Sequence, residues 1–92
     1  MIVRILGEGQ LLVEDSAADE LASLDAKLEA AVEVSDEREF KTALEELLTR
    51  VRSIGTPVDP GTLEASDLII PAEDATMAEV HKLLADEGVI PS

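Results

Sequence analysis

The sequence predicts an α+β domain: a small mixed sheet of about three strands, an antiparallel helical hairpin and a third helix, in the order β-β-α-α-β-α. Three observations predict it. Residues 1–14 form two runs of alternating apolar and polar side chains on either side of Gly7-Glu8-Gly9, the pattern of two half-buried strands joined by a tight turn. Residues 16–54 carry two apolar stripes at helical spacing, interrupted at Val34-Ser35-Asp36. A short apolar run, Asp67-Leu68-Ile69-Ile70, then precedes a third stripe that begins after Thr76. At 92 residues the expectation is a single domain, 1–92, with one modest core.

In the first hairpin, a three-residue turn at Gly7-Glu8-Gly9 puts Val3, Ile5, Leu11 and Val13 on one face. Arg4, Gln10, Leu12 and Glu14 take the other, with Arg4 between Gln10 and Glu14 on the neighbouring strand. Gly-x-Gly also invites a phosphate-loop reading, but a third glycine and a following helix are missing, and Glu8 puts a carboxylate where a phosphate would sit. A turn accounts for it.

Ser16 is the expected N-cap of the first helix, with Asp19 in the capping-box position. Leu21, Leu24, Leu28, Ala31 and Val32 supply its apolar stripe, while Asp25, Glu29 and Glu33 are among its polar residues. Asp36 with Glu39 forms a second capping pair. Phe40, Leu44, Leu47, Leu48, Val51 and Ile54 form the second stripe, which Gly55 closes and Pro57 prevents from continuing. Residues 55–66 read as loop, being dense in Gly, Pro and Asp. The unbroken apolarity of residues 68–70 suggests a strand buried on both faces beside the first strand. Thr76 and Glu79 make a capping box for helix three, whose stripe is Met77, Val80, Leu83 and Leu84. Gly88 ends that helix, and Val89-Ile90-Pro91 is expected to fold back on the core.

Composition excludes several kinds of chemistry. There is no Cys, so no disulfide, thiolate nucleophile or thiolate metal site can form, and an intracellular, cytoplasmic setting is the expectation. No apolar run approaches the roughly 20 residues that span a bilayer, and the N-terminus lacks the pattern of a signal peptide. Seven Lys and Arg against 21 Asp and Glu give a net charge of −14. Such a surface is repelled by nucleic acid and by anionic lipid headgroups, so neither nucleic-acid binding nor direct membrane insertion is expected. It suits solubility, or steering towards a basic surface on a protein partner.

No residue set reads as an active site, and no enzyme activity or cofactor is expected. His81 is the single imidazole and has no Ser, Cys or second His at a useful spacing. The adjacent carboxylates, such as Glu45 and Glu46, fall on polar faces rather than in a cleft that would split their pKa values. Asp59, Asp67 and Asp74 could approach one another across loops, but without the spacing of a calcium loop. Asp15-Ser16-Ala17 is the nearest local match to the attachment serine of an acyl carrier protein, which makes Ser16 of an acidic carrier-type or enzyme-subunit domain the alternative reading. A helix cap explains Ser16 adequately without it.

As a set, these motifs resemble the PspAA family, the small domains associated with phage-shock protein A. The resemblance is carried by Met1-Ile2-Val3-Arg4-Ile5-Leu6-Gly7-Glu8-Gly9-Gln10, by the helical hairpin ending Gly55-Thr56-Pro57, and by Ser66-Asp67-Leu68-Ile69-Ile70-Pro71. It continues through Asp74-Ala75-Thr76 and Glu87-Gly88-Val89-Ile90-Pro91, and so covers essentially the whole chain. After Gln10 the family commonly has an aromatic residue, whereas Leu11 stands here. The resemblance implies a non-catalytic adaptor in an envelope-stress system, partnered by a phage-shock protein A-like coiled coil. It supplies no catalytic residues. From the residues, the expected contact face is the outer side of the helical hairpin, including Asp25, Glu29, Glu33 and Glu45; the other option is the β-hairpin face with Arg4 and Leu12, which exposes an apolar residue on a sheet edge.

Overall fold

The computed structural model describes residues 1–61 and 64–82. They form a four-stranded mixed sheet with helices packed on one face. Strands β1 (Ile2–Ile5) and β2 (Gly9–Leu12) pair antiparallel. The turn between them is Leu6-Gly7-Glu8 rather than Gly7-Glu8-Gly9. The Glu8 N–H donates to the Ile5 carbonyl at 2.9 Å, which closes the turn early and lets pairing resume at Gly9. Gly7 and Gly9 have φ values of +87° and +113°, backbone that only glycine adopts readily. Arg4 therefore pairs with Gln10, two residues away from the expected register. A slip of two preserves the alternation, so Val3, Ile5 and Val13 are buried as expected and Leu11 packs against them.

A short 3-10 turn, Asp15–Ala17, leads into α1 (Ala18–Glu33). Ser16 does not cap this helix. Ala17 occupies the cap position without a side-chain bond, and the Ser16 hydroxyl lies 3.5 Å from a Glu14 carboxylate oxygen. The Glu14 carbonyl accepts the Ala17 N–H at 3.0 Å, so the backbone turns before the helix starts and leaves the hydroxyl facing water. Leu21, Leu28, Ala31 and Val32 are the buried stripe.

The helix ends through Ser35, whose φ of +55° is left-handed and lets the Asp36 N–H reach the Ala31 carbonyl at 3.0 Å. Asp36 then caps α2 (Glu37–Ile54), its carboxylate accepting from the Glu39 N–H at 3.1 Å. Phe40, Ala43, Leu44, Leu47, Leu48 and Val51 are buried, so α2 gives nearly its whole apolar stripe to the core.

Gly55 ends α2 with extended backbone and is needed for room. A Cβ there would lie 2.7 Å from the Val51 carbonyl oxygen and 2.9 Å from the Leu11 Cβ. The residues after it do not start a loop. Thr56–Pro57 is a two-residue strand, β3, paired antiparallel with β2, and the Val58 N–H extends the ladder to the Gln10 carbonyl at 3.0 Å. Pro57 is tolerated because β3 is an edge.

Strand β4 (Leu68–Ile70) lies beside β1 and parallel to it, giving the order β3-β2-β1-β4. Its expected burial on both faces is not observed: Ile70 is buried, but Ile69 is 42 % exposed. An edge strand on a sheet with helices on one side has one dry face. Helix α3 spans 77–82 of the described residues and begins with the expected capping box. Thr76 N–H donates to Glu79 Oε1 at 3.0 Å, and Glu79 N–H donates to Thr76 Oγ1 at 3.1 Å. Val80 is buried and Met77 packs on the core; the expected contributions of Leu83, Leu84, Gly88 and residues 89–91 lie outside the described residues.

Candidate functional site

No described helix is long and apolar enough to cross a membrane. Among the described residues no group of three or more His, Cys, Asp or Glu could hold a metal ion. The aspartates considered together in the sequence have separate tasks. Asp67 Oδ2 accepts the Ile2 N–H at 2.7 Å where β4 begins, Asp59 Oδ1 accepts the Gly61 N–H at 2.9 Å in a local turn, and Asp74 is exposed. His81 is exposed on α3, as is Ser16 in the 3-10 turn.

The four hairpin carboxylates do not lie on one row. Asp25, Glu29 and Glu33 recur every four residues along α1 and so follow one line on its surface. Glu29 and Glu33 are exposed; Asp25 is half-buried and engaged with its surroundings. Glu45 is on α2 and borders a shallow depression with Glu20 and Leu24 of α1. An α-helix turns about 100° per residue, so the Leu24 side of α1 is a quarter-turn or more from the Asp25 row. Arg50 closes the same depression by pairing with Glu20, Nε to Oε2 at 2.7 Å.

A second cluster joins three segments distant in sequence. Arg52, near the end of α2, donates through Nε to Glu8 Oε1 at 3.1 Å and through Nη2 to Glu8 Oε2. Nη2 also reaches Glu73 Oε2 at 3.4 Å. The hydrogen bonds it donates to Glu8 hold the Arg52 guanidinium pKa above its usual value; desolvation opposes the rise, and the charge of Glu8 and the bond to Glu73 add to it. This cluster ties the β1–β2 turn and the segment before α3 to α2. Nothing in the sequence pattern pointed to it, because i,i+4 spacing reports only pairs within one helix.

The sheet face turned away from α1 and α2 is the third feature. Register and alternation place Ile2, Arg4, Gln10, Leu12 and Ile69 on it. Leu12 is 53 % exposed, and with Ile69 it accounts for half of the described large apolar residues that face water, the others being Leu6 and Val34. Gln10 is half-buried here because its carboxamide donates to the Glu64 carbonyl at 2.8 Å and to Ser66 Oγ at 2.9 Å.

Fold and surface together define a small acidic two-layer α+β domain with one helix-covered sheet face and carboxylates exposed on its helices. The family model of the PspA-associated proteins, PspAA, matches residues 1–92, and the chain belongs to that family. No curated protein and no solved structure matches it.

Proposed function

We propose that this protein is a non-catalytic interaction module that docks on a phage-shock protein A-type coiled coil in a membrane-stress response. The observation that carries the reading is membership, over residues 1–92, of a family described as associated with PspA. The surface agrees with it. A net charge of −14 with exposed Glu29 and Glu33 in one row, half-buried Asp25 beside them and Glu45 on the neighbouring helix favours a basic stretch of the partner. Attraction of this kind speeds encounter and weakens as salt shortens the Debye length, which is about 8 Å near physiological ionic strength. The module works in the cytoplasm and reaches a membrane only through its partner.

Co-purification with the PspA-type protein tests this reading. The expected result is capture that declines between low and high salt and weakens several-fold when Glu29 and Glu33 are both changed to Lys. Absence of capture from both the soluble and the membrane fraction, at low salt, overturns it.

A further inference from the structure

Val34 is 73 % exposed, the most exposed large apolar side chain among the described residues. It is also held in place. Its N–H donates to the Ala30 carbonyl at 3.2 Å, so it takes the next helical position after Glu33. The chain beyond it is fixed by the Ser35 N–H on the Val32 carbonyl at 3.1 Å and the Asp36 N–H on the Ala31 carbonyl at 3.0 Å. A single exposed valine is ordinary, but this one ends a row. Ala22, Ala26 and Ala30 precede it at four-residue spacing, and all three are exposed. Asp25, Glu29 and Glu33 each lie three residues beyond one of those alanines, so an acidic row and an apolar row run side by side on α1. Rows of this spacing are the ridges that interlock when two α-helices pack. The short alanines leave a furrow beside the carboxylates, with the larger Val34 standing at its end.

We propose that Val34 is the apolar anchor of the acidic docking face, and that the occupant of this face is an α-helix of the partner; the proposal rests on the reading of the protein as a module for a PspA-type coiled coil. The fit requires a helix with Lys or Arg opposite Glu29 and Glu33, and beside them an apolar gap that receives Val34. Charge complementarity selects this occupant over a second copy, since two chains of net charge −14 repel each other. The two contributions differ in kind. The carboxylates speed encounter and are screened by salt, whereas burial of Val34 removes apolar surface from water and is not screened. An anchor already fixed by its backbone bonds loses little freedom on binding.

The test is titration of the purified full chain with the purified PspA-type protein at low and at high salt. The chains compared are the parent, Val34→Ser, Val34→Ile and the double variant Glu29→Lys with Glu33→Lys. Because Val34 projects into water, Val34→Ser should keep the urea midpoint of the parent. It should raise Kd about five- to tenfold at both salt concentrations. Val34→Ile should stay within about twofold of the parent, and the charge reversal should weaken binding far more at low salt than at high salt. Binding by the parent with Val34→Ser within about twofold of it overturns the anchor and leaves the docking reading standing. A Val34→Ser loss that vanishes at high salt, or an equal loss in Val34→Ile, overturns the apolar contact. A lowered urea midpoint in Val34→Ser overturns it as well, since Val34 would then support the fold. Dimerisation of the isolated chain that Val34→Ser abolishes, read by sedimentation, assigns the row to a second copy and overturns the proposed occupant. Absence of binding by the parent at low salt overturns the anchor together with the docking reading.

Discussion

Arg52 and Glu8 form a two-pronged pair between the end of α2 and the β1–β2 turn, with Nε donating to Oε1 at 3.1 Å. Their side chains are 38 % and 41 % exposed, so water screens much of the attraction. A double-mutant cycle of Arg52→Ala and Glu8→Ala should give a coupling of about 0.5 kcal/mol at low salt, falling towards zero in 1 M salt. The readout is the urea midpoint of each variant. A coupling that ignores salt would mean that the pair acts through packing.

The core is sensitive in proportion to burial. Leu47 is wholly buried between the helices and the sheet, and Leu47→Ala should cost about 2–5 kcal/mol. For a domain whose total stability is of order 5–15 kcal/mol, that is a large share. Thermal or urea unfolding followed by circular dichroism measures it.

Two serine and aspartate positions that look alike in the sequence should behave differently. Asp36→Ala removes the carboxylate that accepts the Glu39 N–H and should lose about 1 kcal/mol. Ser16→Ala removes a hydroxyl with no cap bond and should fall within about 0.5 kcal/mol of the parent. Equal losses in urea unfolding would contradict the observed start of α1.

Gly55→Ala should destabilise although the backbone there is not left-handed. Its Cβ would meet the Val51 carbonyl at 2.7 Å, and a helix carbonyl cannot move aside as a flexible side chain can. The expected cost is about 1–3 kcal/mol, with the largest amide shifts at Leu11 and Val51. A neutral result would show that β2 and α2 can separate without penalty.

The capping box of α3 should be sensitive to acid. Bonds from the Thr76 N–H and hydroxyl lower the Glu79 pKa, the backbone bond having the larger effect. A carboxylate whose folded pKa is depressed adds stability above its unfolded pKa, near 4.3, and loses it as pH falls through the folded value. Local protection of the α3 amides should therefore decline in that acid window and stay flat from there to neutral pH. Glu79→Gln should remove the pH dependence. Titration of the Glu79 carboxyl by NMR checks the sign directly.

Much of this architecture is determined by the sequence alone, because its causes are local. Period-two alternation in residues 2–5 and 9–13 sets which side chains face inward, and it survives even a two-residue error in the turn. The stripe of Phe40, Leu44, Leu47, Leu48 and Val51 sets the buried face of α2, and the Asp36 and Thr76 caps act on their own next turn. The acidic residues are equally legible as types, but their grouping is not. Glu45 and the Asp25 row belong to different helices, and only the packing of α1 on α2 separates them.

Tertiary structure decided the rest. Thr56–Pro57 is a strand only because β2 lies beside it; by composition it is a turn. Ile69 reads as core and is exposed, since its burial depends on which sheet face the helices cover. Arg52 finds Glu8 and Glu73 across 44 and 21 residues of sequence, and Gln10 finds Glu64 and Ser66 across 54 and 56. Such contacts leave no periodic trace, because they are selected by the closure of the whole chain and not by the spacing of neighbours.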